Sequence, residues 1–206
     1  MKMPLKAMGA IALSALTVAC STNQNSATAT LFEQCQSTTN PVVGETSISG
    51  LTYIGSAIAD APFDSSAAEI VSYDNCTDKL YVVNAQSKQV DVLTFDAAGK
   101  PTQQAFIDLQ SAANAAEIEI GAANSVATYN GLIAVAIENA NKQENGLIAL
   151  YRSSDLSLLT TYPAGALPDM VSFSPDGRYI ASANEGEPSK DYKIDPQGSI
   201  TLIDLR

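Results

Sequence analysis

Five acidic side chains near the C-terminal end, Asp169, Glu185, Glu187, Asp191 and Asp195, are the residues with the most chemistry to offer. Hard oxygen donors without histidine or cysteine among them suit Ca²⁺ or Mg²⁺ rather than zinc, so they read as candidate calcium ligands. Their spacing is not that of an EF-hand, which needs alternating acids, a central glycine and a distal glutamate. Paired carboxylates can also do general acid-base work, but nothing in the spacing fixes their separation. A solvated acidic loop is the plainer reading of the same run, with Lys190 and Lys193 its only offsetting charges. The chain contains no histidine. That excludes a Ser-His-Asp or Cys-His constellation and a His-ligated zinc site. No nucleophile elbow, P-loop or glycine-rich dinucleotide motif is present, and no catalytic residue is assigned.

A second polar set recurs at fixed register. Glu69, Asn124 and Asp169 open three short apolar runs, and Asn84, Asn139 and Asn184 each fall 13 residues after Val71, Val126 and Val171. If these positions line an axial channel, oxygen donors from several repeats converge there. Asn and Asp at strand ends also bond local backbone in turns, a purely structural use of the same residues.

Repeats of that kind must be carried by strands. Each copy has a first strand (Ile70–Tyr73, Ser125–Thr128, Met170–Phe173), a second (Leu80–Val83, Ile133–Ile137, Ile180–Ala183) and a third (Val90–Phe95, Leu147–Tyr151, Ser199–Ile203). Two copies continue to a fourth, Gln104–Leu109 and Leu156–Tyr162. Copies start 55 and 45 residues apart, near the spacing of about 40 to 50 for four-stranded propeller blades. The second strands are apolar on successive residues, as a strand covered on both faces by neighbouring blades would be. Ser174-Pro175-Asp176-Gly177-Arg178 is a tight turn between the first two strands of the third copy. Glu185 to Gln197 is longer than the matching stretch of copy two by 8 residues, and insertions on one blade are where propellers carry function. Ser111–Ile120 has the composition of a short helical connector. Ile48–Ala59 is strand-like and belongs to none of the repeats.

The fold class expected is therefore all-β: a β-propeller of four-stranded antiparallel blades, about three of them, at about residues 65–109, 121–162 and 165–206, in a partial propeller over 48–206. Three blades make an incomplete ring. The sequence reads as the front part of a longer or interrupted propeller, or as a chain that assembles with the missing portion.

The N-terminal part is of a different kind. Residues 1–20 form a leader: Lys2 and Lys6, an apolar run from Ala7 to Val18, and Thr17-Val18-Ala19-Cys20 at its end. This ending resembles the bacterial lipobox, with Cys20 the lipidated residue and Leu16 one place earlier than the usual leucine. Residues 21–47 are a polar tether with little to bury. A lipid-anchored protein of the bacterial cell envelope follows, in the outer membrane because Ser21 rather than an acid comes next. Cys35 and Cys76 then remain as a pair in an oxidising compartment, and a disulfide between them is expected. The formal net charge of −11 becomes −13 once Lys2 and Lys6 leave with the leader (−11 minus 2). Such a surface repels nucleic acid and anionic lipid, and favours a cation, a small molecule or a protein as the ligand at the acidic loop face.

The segments AEIVSY, KLYVVNAQSKQVDVL, GLIAVAIENANKQENGLIALY, GALPDMVSFSPDGRYIASANEGEP and DPQGSITLIDL resemble the choice-of-anchor I family of secreted, surface-tethered bacterial β-propellers. The most specific part is Leu167-Pro168-Asp169-Met170-Val171 followed by Asn184-Glu185-Gly186-Glu187-Pro188, and Tyr81-Val82-Val83-Asn84 is similar to the YVTN-type repeat. The resemblance implies no settled reaction. Relatives described as phytase-like or alkaline-phosphatase-like make a calcium-dependent phosphoric ester hydrolase the alternative to a ligand- or partner-binding module.

Overall fold

The computed structural model describes residues 50, 52–59 and 62–206; the leader, Cys20, Cys35 and the whole tether lie outside them. The described residues form three antiparallel sheets, each a meander in which consecutive strands are neighbours. Blade 1 comprises β1 (Val71–Asp74), β2 (Lys79–Asn84), β3 (Gln89–Phe95) and β4 (Pro101–Asp108). Blade 2 comprises β5 (Ile120–Tyr129), β6 (Leu132–Asn139), β7 (Asn145–Arg152) and β8 (Leu158–Ala166). Blade 3 has β9 (Pro168–Phe173), β10 (Tyr179–Asn184) and β11 (Ser199–Asp204). A six-residue helix, α1 (Gln110–Ala115), connects the first two blades.

The register follows from the repeat. Val71 opposes Val82, Val126 opposes Val135, and Val171 opposes Ser182, so each first strand enters its blade in the same way. The blades stack face to face over two cores. Tyr81, Val83, Val90 and Val92 of blade 1 meet Ile133, Val135, Ile137 and Tyr151 of blade 2, with Leu109 and Ala112 of the helical connector closing the top. Leu132, Ala134, Ala136 and Ile148, on the other side of blade 2, meet Val171, Ile180 and Ile203 of blade 3. β6 is accordingly buried at every position, the outcome its unbroken apolar run foretells. Each of its isoleucines and valines contributes about 1.5–3 kcal/mol by leaving water. Polar contacts fix the blades in angle. Ser72 Oγ lies 2.8 Å from Thr128 Oγ1, Tyr81 donates to the carbonyl of Ser153, and the Val171 amide donates to Ser125 Oγ at 3.2 Å.

The turn in blade 3 forms as its residues dictate: the Gly177 amide donates to the Ser174 carbonyl, and Asp176 Oδ1 accepts from Ser174 Oγ and the Arg178 amide. Gly177 has φ +70°, and a Cβ there would fall 2.0 Å from Tyr129 Cε1, the ring that stacks on Phe173 at 5.7 Å. One expectation is corrected. Residues 52–59 carry no strand, because nothing pairs with their backbone; they cross the open face of blade 1 beside Val82 and Leu93, with Ile54 against Gly99 and Gly55 against Lys100. Their β-branched and small apolar composition serves that packing instead of a ladder.

Candidate functional site: an acidic loop rim

The connections alternate between two ends of the molecule. The β2–β3 and β6–β7 turns, the helical connector and the β10–β11 loop share one end, where Lys88 Nζ donates to the Ile120 carbonyl at 2.7 Å and Gln143 Nε2 to the Glu187 carbonyl at 3.1 Å, each bond linking adjacent blades. The opposite end carries the β1–β2 turn with Cys76 and the β9–β10 turn.

The three recurring asparagines are buried, and each is used within its own blade. Asn84 Nδ2 donates to Asp91 Oδ2 at 3.1 Å while its Oδ1 accepts the Ser87 amide. Asn139 Nδ2 donates to the Asn145 carbonyl and its Oδ1 accepts the Asn141 amide. Asn184 Nδ2 donates to Ser199 Oγ and Thr201 Oγ1. All three close the turn that leads to the third strand. Among the first-strand openers, Glu69 is exposed and accepts from Ser66 Oγ, whereas Asp169 is exposed at the start of β9. Asn124 is half-buried, with Nδ2 donating to the Pro168 carbonyl at 3.1 Å and to Glu138 Oε2 at 3.3 Å.

Glu138 is the residue that sequence reasoning missed. It is a buried carboxylate whose Oε1 accepts the Ala122 amide at 3.2 Å, bracing the bulged start of β5, and Gly121 leaves room for it: a Cβ there would sit 2.6 Å from Glu138 Cγ. Its Oε2 is 3.9 Å from Lys142 Nζ, and the same ammonium is 3.5 Å from Glu187 Oε2. Lys142 thereby joins blade 2 to the long loop of blade 3. A signal existed in the sequence, since Glu138 is the one charged residue in the apolar run of β6.

The loop between β10 and β11 is built tightly at its base. Gly186, at φ +71°, lies so near the returning chain that a Cβ would be 2.3 Å from the Pro196 carbonyl oxygen. Further out, the Ser189 amide donates to the Ile194 carbonyl at 2.7 Å and the Tyr192 amide to the Ser189 carbonyl at 2.8 Å. Asp191 accepts from Ser189 Oγ and pairs with Lys193 Nζ at 3.0 Å, and these donors hold its carboxyl below the usual carboxylate range. Tyr192 stands at the tip with φ +55°, an uncommon conformation for a bulky residue, and is 81% exposed, with Ile194 57% exposed beside it. Among the described residues, no three acidic or cysteine side chains gather closely enough to hold a metal ion.

Residues 69–206 match the choice-of-anchor I domain. The chain belongs to that family. Membership supports a secreted or cell-surface protein. No curated protein matches the chain. Among solved structures, a luciferin-regenerating enzyme is similar with a TM-score of 0.53 at 16% identity, over 69% of this chain and 46% of that one. A hypothetical selenium-binding protein from Sulfolobus tokodaii is similar with a TM-score of 0.51 at 12% identity, over 71% of this chain and 38% of that one. A Dos1 propeller matches with a TM-score of 0.34 at 10% identity, over 65% of this chain and 47% of that one. The chain spans less than half the length of these structures. At such identities the likeness to the first two is one of fold alone; the described residues of this chain form an all-β, open arrangement of antiparallel propeller-type blades.

Proposed function

We propose that this choice-of-anchor I chain is a lipid-anchored envelope module that binds a positively charged partner through the β10–β11 loop. The observation that carries the reading is the exposed Tyr192–Ile194 pair on a hydrogen-bonded loop, flanked by Glu187, Asp191 and Asp195. A rigid aromatic tip in an acidic field is the arrangement that anchors a protein or peptide: the ring supplies contact area at little entropic cost and the carboxylates supply steering. The net charge of −11 adds long-range attraction for a basic ligand. Lipidation at Cys20 and the outer membrane belong to the same proposal, supported by the leader and the lipobox-like Thr17-Val18-Ala19-Cys20. So does a Cys35–Cys76 bridge, supported by the disulfide-bonded state of Cys76.

Isothermal titration of the full chain with a lysine-rich peptide, and separately with Ca²⁺, tests the reading. Peptide binding that weakens with salt and falls about tenfold in Tyr192→Ala is expected. Heat from neither titrant, or a Tyr192→Ala chain that binds unchanged, overturns it. Calcium binding alone would return the acidic residues to the role of metal ligands.

A further inference from the structure

Tyr192 is held in place through contacts that blade 2 supplies. The loop leaves β10 on two backbone bonds, the Glu185 amide donating to the Leu167 carbonyl at 2.9 Å and the Gly186 amide to the Ala166 carbonyl at 3.2 Å. One residue later the β6–β7 turn takes hold of it: Gln143 Nε2 donates to the Glu187 carbonyl at 3.1 Å, and Lys142 Nζ lies 3.5 Å from Glu187 Oε2. That turn is itself preset. Buried Asn139 accepts the Asn141 amide at 3.0 Å, and Asn141 accepts the Gln143 amide while its Nδ2 donates to Glu144 Oε1 at 3.1 Å. Behind Lys142 stands Glu138, fixed by the Ala122 amide and by Asn124, whose Nδ2 also donates to the Pro168 carbonyl beside the base of the loop. Beyond Glu187 the tip is a small closed turn. Ser189 binds the Ile194 carbonyl through its amide, the Tyr192 amide through its carbonyl, and both Asp191 and the Ile194 amide through its hydroxyl. Such a turn moves as one piece, and its direction is set at Glu187.

We infer that Lys142 and Gln143 are positioning residues for the β10–β11 loop, clasping Glu187 so that Tyr192 and Ile194 are held ready for a basic ligand. The ligand in this statement rests on the function proposed for the loop; the clasp rests on the contacts alone. Two effects of Lys142 on such a ligand oppose each other. Its ammonium repels a positively charged partner and offsets Glu187, which weakens binding by about two- to fivefold, the worth of a half-exposed ion pair. Holding the loop spares the ligand the ordering of its backbone, and each residue left to be ordered on binding costs about tenfold in affinity. The ordering effect is the larger. Loss of this positive charge therefore weakens the binding of a positive ligand, the reverse of what repulsion alone predicts.

Amide order parameters of residues 189–195 from NMR relaxation, together with calorimetric titration of a lysine-rich peptide, test this on the full chain and three variants. The unsubstituted loop is expected near the value of about 0.85 for rigid backbone, and below about 0.6 in Lys142→Met. The same variant binds the peptide about tenfold more weakly. Lys142→Arg keeps both properties, and Gln143→Ala, which changes no charge, shifts both in the direction of Lys142→Met. Order parameters that stay unchanged in Lys142→Met and in Gln143→Ala overturn the clasp. Peptide affinity that rises in Lys142→Met overturns the positioning role, since repulsion alone then accounts for Lys142. An unsubstituted chain that binds no peptide overturns the ligand reading and the role in binding with it, whereas the clasp stands or falls on the order parameters.

Discussion

Tyr81 shows how much one side chain can hold and when it lets go. Its ring is fully buried between blades 1 and 2 and its hydroxyl donates to the Ser153 carbonyl at 3.3 Å. Burial, with Asp74 nearby, pushes its pKa up to about 12 from 10.0, and burial raises Tyr151 in the same core as well. The neutral form is thus the one the fold tolerates. A raised folded-state pKa means that the stability is fully present below the unfolded value near 10 and is lost as pH climbs through 12. Alkaline titration followed by tyrosinate absorbance and circular dichroism is expected to show unchanged stability to about pH 9, then cooperative loss between about pH 10 and 12, on the order of 2–3 kcal/mol from Tyr81. Tyr81→Phe shifts that alkaline loss upward while costing about 1 kcal/mol at neutral pH. The sequence marks Tyr81 only as part of a YVVN run; its ionisation behaviour comes from the neighbouring blade.

At the scale of elements, β5 and β6 show a strand pair whose irregularity is held by one carboxylate. The register slips between Ile120 and Ala123 and again before Ser125, and Glu138 accepts the Ala122 amide that those slips leave without a ladder partner. Removing the carboxylate strands a half-buried donor and frees Lys142. Glu138→Ala is expected to cost about 1–3 kcal/mol in urea unfolding, whereas Glu138→Gln, which keeps an acceptor for Ala122, costs less. The elements themselves were legible because strand period, turn residues and repeat spacing agree: β9, the Ser174–Arg178 turn and β10 lie where the pattern puts them, and α1 overlaps the first half of the helix-forming Ser111–Ile120 run, starting one residue before it. Residues 52–59 of the strand-like Ile48–Ala59 run form no strand, because composition does not say whether a partner edge is within reach. Glu138 escaped notice because a single acid in an apolar run gives no hint of the bulge it serves.

The described residues form an arc of three blades, with Cys76 in the β1–β2 turn at the end opposite the acidic rim. With a Cys35–Cys76 bridge, which closes a loop of about 40 residues, reduction is expected to lower the stability of the full chain by ~3 to 4 kcal/mol. Thermal unfolding of the full chain with and without reductant measures this, and peptide mapping under non-reducing conditions identifies the linked cysteines. By itself, the sequence determined the family, the all-β blades, their register and the absence of histidine-based chemistry, since these depend on residue type and on periodicities of 2 and of about 45 to 55, which are local or repetitive. The tertiary structure decided where the polar residues face. It turned the recurring asparagines inward to close their own turns and linked Glu138 to Glu187 through Lys142. It also left Tyr192 standing at the loop tip. Those outcomes depend on which side chains from different blades meet, and one chain read in order does not contain that distance.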